Sequence, residues 1–238
     1  MNKKISLFLL LLAVSTLLFS CTPTASPAEG EQADGMGEAA FSVFCSYATE
    51  DGRRSCDGSA VLLASDADGS LLVTALHVLS TAQVGEMPDG IYLHAYGKEA
   101  EDGIPAKCVW TDAEHDLALL HTENRLGTPP ALRADTPERG TSVFVLGNGG
   151  GAGIRPKLGS VTEGLVTLSF SVDYREEPLT LSLICFAAEL SSGDSGGGLF
   201  DEEGRLLGIV NAMRADGTLG YAIPVSHVAE MLSAYRQP

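Results

Sequence analysis

A serine with glycines on both sides, in the run Ser192-Gly193-Asp194-Ser195-Gly196-Gly197-Gly198, is the first feature of this sequence with a chemical consequence. A serine hydroxyl holds its proton at neutral pH and attacks a carbonyl only when a base takes that proton. Glycines keep the turn thin. They also let the amides of Gly193 and Ser195 converge on one point, where a developing oxyanion would be held; losing one such donor costs roughly 3–4 kcal/mol in the transition state. His77 closes the apolar run Val73-Thr74-Ala75-Leu76-His77-Val78. With an intrinsic pKa of about 6.5, its imidazole suits the task of taking the serine proton and returning it to a leaving group. Asp116 opens the run Asp116-Leu117-Ala118-Leu119-Leu120 and would hold the ring in one tautomer and stabilise its charged form. A histidine at a strand end, or an acid at a strand start, is ordinary structure when taken alone. The order His77, Asp116, Ser195 joins the three, because unrelated folds that build this chemistry use other orders.

Positioning these groups calls for strands. From residue 41 onward, short runs rich in Val, Ile, Leu and Thr alternate with Gly- and Asp-Gly-containing breaks: FSVFCSYA, GSAVLLAS, LLVTALHVL, IYLHAY, AKCVW, DLALLH, TSVFVLG, GSVTEGLVTLSF, LTLSLICFA, GLF, RLLGIV and GYAIP. Runs of this length and composition predict strands joined by hairpins. Helical spacing is clear only in VSHVAEMLSAYR, where Val225, Val228, Met231, Leu232 and Tyr235 share a face behind Pro224. Thr128-Pro129-Pro130 and the polar stretch to Gly140 divide the domain into halves of about 41–127 and 138–223, with a helix over about 225–236.

These motifs resemble the chymotrypsin superfamily of trypsin-like serine peptidases across nearly all of residues 41–236, and most closely its bacterial HtrA-like branch. Gly58-Ser59-Ala60-Val61 is similar to that branch's opening strand. Gly147-Asn148 resembles its Gly-Asn loop, and Gly159-Ser160-Val161-Thr162 its next strand. Gly208-Ile209-Val210-Asn211 and Gly220-Tyr221-Ala222-Ile223-Pro224 are similar to its last strands. The resemblance implies an all-β fold of two six-stranded antiparallel barrels with a short C-terminal helix. The first barrel would supply His77 and Asp116 and the second Ser195. It implies a serine endopeptidase without cofactor or metal, with Gly193 and Ser195 as oxyanion hole. Glu189, six residues before the nucleophile, would floor the specificity pocket and favour Lys or Arg. The strand Ile209-Val210-Asn211 would pair with substrate backbone. Two features depart from the branch. Asp194 stands where Asn is usual. In many trypsin-like zymogens this Asp pairs with a freed N-terminal amine, and no Arg-Ile-Val-Gly activation site is present, so another partner or backbone amides are expected. The PDZ domain common in the branch is not expected here, and oligomeric state stays open.

Residues 1–20 combine Lys3 and Lys4, the apolar stretch Ile5 to Phe19 and the small Ser20, which together describe an export signal. The stretch is shorter than the roughly 20 apolar residues of a membrane span. Leu18-Phe19-Ser20-Cys21 resembles the bacterial lipobox, which implies acylation of Cys21 and an extracytoplasmic, membrane-anchored protein of the cell envelope. Thr22 in the next position implies the outer membrane where one exists. Residues 22–40 (TPTASPAEGEQADGMGEAA) have little to bury and read as a tether spanning about 25 Å. Export favours disulfides. Cys45, Cys56, Cys108 and Cys185 allow three connectivities, and a bridge between Cys45 and Cys56 across the segment TEDGRRS is favoured.

The formal charge of −16 repels phosphate backbones and argues against a nucleic-acid partner. Gly149-Gly150-Gly151 lacks the Lys-Ser/Thr ending of a phosphate loop and reads as a mobile turn. His94, His115, His121 and His227 read as structural or surface groups. Two functional readings follow: an endopeptidase acting on extracytoplasmic proteins, and a catalytically weak or inactive lipoprotein of the same fold that binds peptides as an interaction module.

Overall fold

The computed structural model describes residues 37–50, 52–80, 87–96 and 103–237. The expected export signal, Cys21 and most of the expected tether lie outside the described residues. Twelve strands form two closed antiparallel barrels. The first contains β1 (Ala40–Thr49), β2 (Gly52–Asp66), β3 (Gly69–Ala75), β4 (Gly90–Ala95), β5 (Ile104–Asp112) and β6 (Leu117–Thr122), in the order β1-β2-β3-β6-β5-β4. The second contains β7 (Ser142–Gly147), β8 (Arg155–Phe170), β9 (Leu179–Ala187), β10 (Gly198–Asp201), β11 (Leu206–Met213) and β12 (Leu219–Pro224), in the order β10-β11-β12-β9-β8-β7. Closure gives every strand a neighbour on both sides, although β11 extends beyond its short partner β10. The expected two-barrel fold is therefore observed.

Strand periodicity explains how two barrels make one body. Successive side chains alternate between faces. In β6, Ala118 and Leu120 enter the first barrel's interior, whereas Leu117 and Leu119 join a second cluster between the barrels. In β2, Leu62 points inward and Val61 outward into that shared cluster, where Leu146, Phe200 and Ile209 of the second barrel meet it. Burial on both faces is why these strands read as continuous apolar runs rather than alternating ones. The second barrel's interior holds Val145, Val161, Phe186, Leu199 and Leu207.

Two short helices matter for the site. The run LLVTALHVL does not stay extended: β3 ends at Ala75, and Leu76–Leu79 form a single helical turn, α1, that carries His77. The terminal helix α2 (Val225–Tyr235) buries Val225, Val228, Met231 and Leu232 in the inter-barrel cluster. Tyr235 meets Trp110 of β5 edge-on, with centroids 6.1 Å apart. The end of the second half is thereby fastened to the first barrel.

Candidate active site

Asp116 lies just before β6 with φ of 54°, in the left-handed region that Asp tolerates better than most residues. That turn drives its carboxylate under α1. Oδ1 accepts the backbone amide of His77 at 2.9 Å, and Oδ2 lies 2.6 Å from His77 Nδ1. Leu76 donates to the Asp116 carbonyl at 2.9 Å. The carboxylate is fully buried, while the imidazole side chain keeps 28% of its exposure and faces the cleft. Burial opposes the charged imidazole. The hydrogen bond and charge of Asp116 outweigh it, so the His77 pKa rises above its ordinary 6.5.

A further donor reaches the same carboxylate. Asn211 Nδ2 donates to Asp116 Oδ2 at 2.5 Å. The cause is a bulge: β11 pairs with β12 through Val210↔Ala222 and Ala212↔Tyr221, leaving Asn211 without a partner in the ladder. A bulge of this kind re-aims a side chain. Asn211 was expected on the substrate-binding strand, and its amide instead braces the acid. Nothing in the sequence marks a bulge at that position.

Ser195 sits across the cleft, on the turn before β10. Its Oγ donates to the Asn211 carbonyl at 3.4 Å and makes no hydrogen bond to His77. Catalytic hydrogen bonds are commonly loose without substrate, and rotation about the Cα–Cβ bond is enough to move this oxygen. The main chain around Ser195 is more tightly determined. Ser59 donates its amide to the Ser195 carbonyl at 2.8 Å and its hydroxyl to the Gly193 carbonyl at 2.7 Å, and its hydroxyl accepts the Asn148 amide at 2.8 Å. Gly196, with φ of 82°, lies so close to β2 that an added Cβ would stand 2.0 Å from the Ser59 carbonyl. Ser59, read from sequence only as part of an opening strand, thus joins the first barrel to the nucleophile turn.

One peptide plane fixes the direction of the Gly193 amide, which was expected to form an oxyanion hole with that of Ser195. The Ser192 carbonyl accepts the Gly150 amide at 2.8 Å. In a trans peptide the C=O and the following N–H point in opposite directions, so the Gly193 amide is turned the other way, toward the cleft. Among the described residues the amides of Gly193 and Ser195 have no backbone acceptor. The triple glycine expected to be a mobile turn is a 3₁₀ turn over Gly149–Gly151 that holds this plane.

Three expectations need correction or refinement. Glu189 is exposed and does not line the cleft beside Ser195. Leu190, the next residue, is buried, and with buried Val210, half-buried Ala212 and exposed Met213 it lines a cleft of about 410 Å³. Glu189 is exposed while both its neighbours, Ala188 and Leu190, are buried, so the acid faces outward and supplies no counter-charge for Lys or Arg in this cleft. Ile209 and Val210 are not free to pair with substrate: Ile209 is already paired with both Gly198 and Ile223. Val210 donates to Gly197 and accepts from Gly196, each at 2.8 Å. The unpaired edge facing the cleft begins after the bulge, at Ala212 and Met213. Asp194 has found its partners: Lys157 forms an ion pair with Oδ2, and the Ser191 amide donates to the same oxygen at 2.9 Å.

Cys45 and Cys56 lie directly opposite each other across β1 and β2, and all four described cysteines are free thiols in the structure. Cys56 borders the cleft and donates to the Val78 carbonyl at 3.1 Å. The remaining histidines are engaged elsewhere. His115 stacks on His227 with centroids 4.0 Å apart, and His121 lies 3.2 Å from the Asp68 carbonyl. His94 lines a neighbouring cleft of about 750 Å³ between the barrels. Among the described residues no group of acidic, His or Cys side chains is arranged to hold a metal ion. No described helix is long and apolar enough to cross a membrane.

Two closed barrels with a Ser-His-Asp constellation in the cleft define a chymotrypsin-type serine peptidase fold. The chain belongs to the trypsin-like peptidase domain family, which it matches over residues 58–209. It is 27% identical over 157 residues to the serine protease Rv3671c of Mycobacterium tuberculosis, covering 66% of this chain and 38% of that protein. It is 30% identical over 184 residues to the periplasmic serine endoprotease DegP of Escherichia coli, covering 74% of this chain and 35% of that protein. It therefore spans little more than a third of the length of these relatives. Among solved structures, the active form of the Rv3671c protease superposes with a TM-score of 0.72 at 21% identity, covering 89% of this chain and 85% of that one. The HtrA-type protease AlgW with a bound tripeptide superposes with a TM-score of 0.65 at 25% identity, covering 85% of this chain and 62% of that one.

Proposed function

We propose that this protein is a serine endopeptidase that hydrolyses peptide bonds of extracytoplasmic proteins through His77, Asp116 and Ser195. The observation that carries the reading is the doubly held carboxylate of Asp116, one oxygen on the His77 amide and the other 2.6 Å from Nδ1. This leaves Nε2 as the free base toward Ser195. Ser195 Oγ attacks the carbonyl carbon as its proton passes to His77 Nε2. The oxyanion forms between the amides of Gly193 and Ser195. Collapse breaks the C–N bond, and the amine leaves with the proton held by His77. Water, activated by the same base, then cleaves the acyl-enzyme ester and restores the serine.

The lining of Leu190, Val210, Ala212 and Met213 supports a preference for an apolar residue before the scissile bond. The edge at Ala212 and Met213 supports binding of an extended substrate by strand addition. The peptides in structures of the HtrA-type neighbour AlgW support a peptide substrate. The lipobox resemblance at Cys21 supports a lipid anchor that keeps the domain at the envelope.

A fluorophosphonate probe tests the activity. The full chain is expected to be labelled, and Ser195→Ala to abolish the label. A folded protein that binds peptides but resists the probe would instead be the interaction module. A peptide library read with the purified protein tests the pocket; preferential cleavage after Lys or Arg would overturn the apolar assignment. Palmitate incorporation lost in Cys21→Ser tests the anchor.

A further inference from the structure

We infer that Lys157 is the positioning residue of the oxyanion hole, its ammonium serving as the permanent counter-ion that fixes Asp194 and with it the Gly193 turn; the inference rests on the peptidase reading above. Asp194 stands between the two residues whose amides form the hole, and it is 2% exposed. A buried carboxylate needs a cation and hydrogen bonds to stay ionised in place. Here the supply is narrow. Oδ2 receives Lys157 Nζ and the Ser191 amide, whereas Oδ1 has no hydrogen-bond partner among the described residues. Among the described residues Lys157 is the only cation paired with Asp194.

The surrounding backbone is shaped for this pair. Lys157 lies on β8 opposite Val145 of β7, and its side chain passes over the Gly147-Asn148-Gly149 run to reach the carboxylate. An added Cβ on Gly147 would lie 2.4 Å from Asp194 Oδ1, and one on Gly149 would lie 2.0 Å from Lys157 Nζ and 2.6 Å from Asp194 Oδ2. Two missing side chains thus make the space that the carboxylate and the ammonium fill. The same loop places Gly150 on the Ser192 carbonyl, so the ion pair and the peptide plane that aims the Gly193 amide are anchored to one segment. Asp194 also closes its own turn: its amide donates to the Ser191 carbonyl at 3.1 Å, and its carbonyl accepts the Gly197 amide at 2.9 Å. Freed of its cation, the carboxylate gains by turning to solvent, and residues 192–194 must move with it. The Gly193 donor is lost while the substrate-binding edge at Ala212 and Met213 is untouched.

Steady-state kinetics and amide hydrogen exchange on the full chain test this together. Lys157→Met is expected to lower kcat by about 100-fold or more, the effect of losing one oxyanion donor, with KM changed less than about threefold. A peptide boronate, which needs the hole, should weaken in parallel. Lys157→Arg, which keeps the cation, should recover most of kcat. Amides of residues 191–197 should exchange faster in Lys157→Met and as in the wild type in Lys157→Arg. If Lys157→Met does not fold, the Asp194→Asn background decides: without a carboxylate to pair, removal of the Lys157 charge there should cost less than threefold, and an undiminished effect overturns the pairing. Wild-type kcat retained in folded Lys157→Met overturns the inference while leaving the peptidase reading intact. Should the wild type cleave nothing, the peptidase reading fails, and unchanged exchange at 191–197 independently overturns the positioning role.

Discussion

Asn211 and Asp116 meet across the two barrels, the side-chain amide of the first donating to the buried carboxylate of the second at 2.5 Å. The acid thereby has donors from three directions: the His77 ring, the His77 amide and Asn211. A hydrogen bond to a charged group contributes about 1.5–3 kcal/mol. In Asn211→Ala, kcat/KM is expected to fall by about 10- to 100-fold, because the carboxylate is freer to turn and the imidazole loses its fixed orientation. The Asn211 carbonyl that Ser195 Oγ rests on is main chain and survives the change. A variant that folds and cleaves a reporter peptide as fast as the wild type would sink this role.

The acid side of the pH profile follows from His77. The general base works only when neutral, and Asp116 raises its pKa above 6.5 against the opposing effect of burial. Activity is therefore lost as pH falls, with the kcat/KM midpoint above 6.5. Asp116→Asn should move that midpoint to lower pH while slowing the reaction. Stability runs the other way. A raised folded pKa adds stability that is complete below the unfolded value and disappears as pH rises through the folded value. The window in which the enzyme gains its base is thus the window in which this contribution is lost. Paired rate and melting measurements from about pH 5 to 8 check both signs.

Gly193 combines a φ of 100° with an added Cβ position 2.4 Å from the Asn148 carbonyl. Gly193→Ala meets both the disfavoured backbone and the Gly-Asn loop, so stability should drop by about 1–3 kcal/mol. The displaced peptide plane should reduce kcat by about 100-fold or more. Binding of a product-like peptide at the Ala212–Met213 edge should persist. Wild-type kcat in this variant would remove Gly193 from the oxyanion hole.

Much of this architecture is visible in the residue pattern, for physical reasons that also mark where visibility ends. Strands buried on both faces are continuous apolar runs, so DLALLH and LLVTAL stand out. Ser195, His77 and Asp116 are tied to local sequence by the glycines and strand ends around them. The helical turn at Leu76–Leu79 was hidden inside an apolar run, since four residues carry no periodicity. Asn211 as a brace depends on a bulge, and Lys157 depends on pairing between β7 and β8; both are non-local. Glu189 misled because a count of residues from the nucleophile ignores which way the side chain faces after Leu190 is buried.

Cys45 and Cys56 provide the last test. They occupy opposite positions of the β1–β2 pair, one fully buried and the other bordering the catalytic cleft. The neighbouring Cys45 thiol, outweighing the opposing effect of burial, pulls the Cys56 pKa below its ordinary 9.0, and the Cys45 pKa is pushed up. Cys56 is then the attacking thiolate and Cys45 the resolving thiol. With a low-molecular-weight disulfide as oxidant, the Cys56 thiolate attacks one sulfur and expels one thiolate. Cys45, giving up its proton, then attacks the mixed disulfide at Cys56 and expels the second thiol. Peptide mapping without reductant is expected to recover the β1 and β2 peptides linked to each other, with Cys108 and Cys185 unbridged. Cys45→Ser should instead trap the mixed disulfide on Cys56 and slow its alkylation by iodoacetamide, because the thiol that stabilises the thiolate has gone. Four free thiols after treatment with the oxidant would exclude the bridge, and equal alkylation rates in Cys45→Ser and the wild type would exclude Cys45 as the cause of the lowered Cys56 pKa.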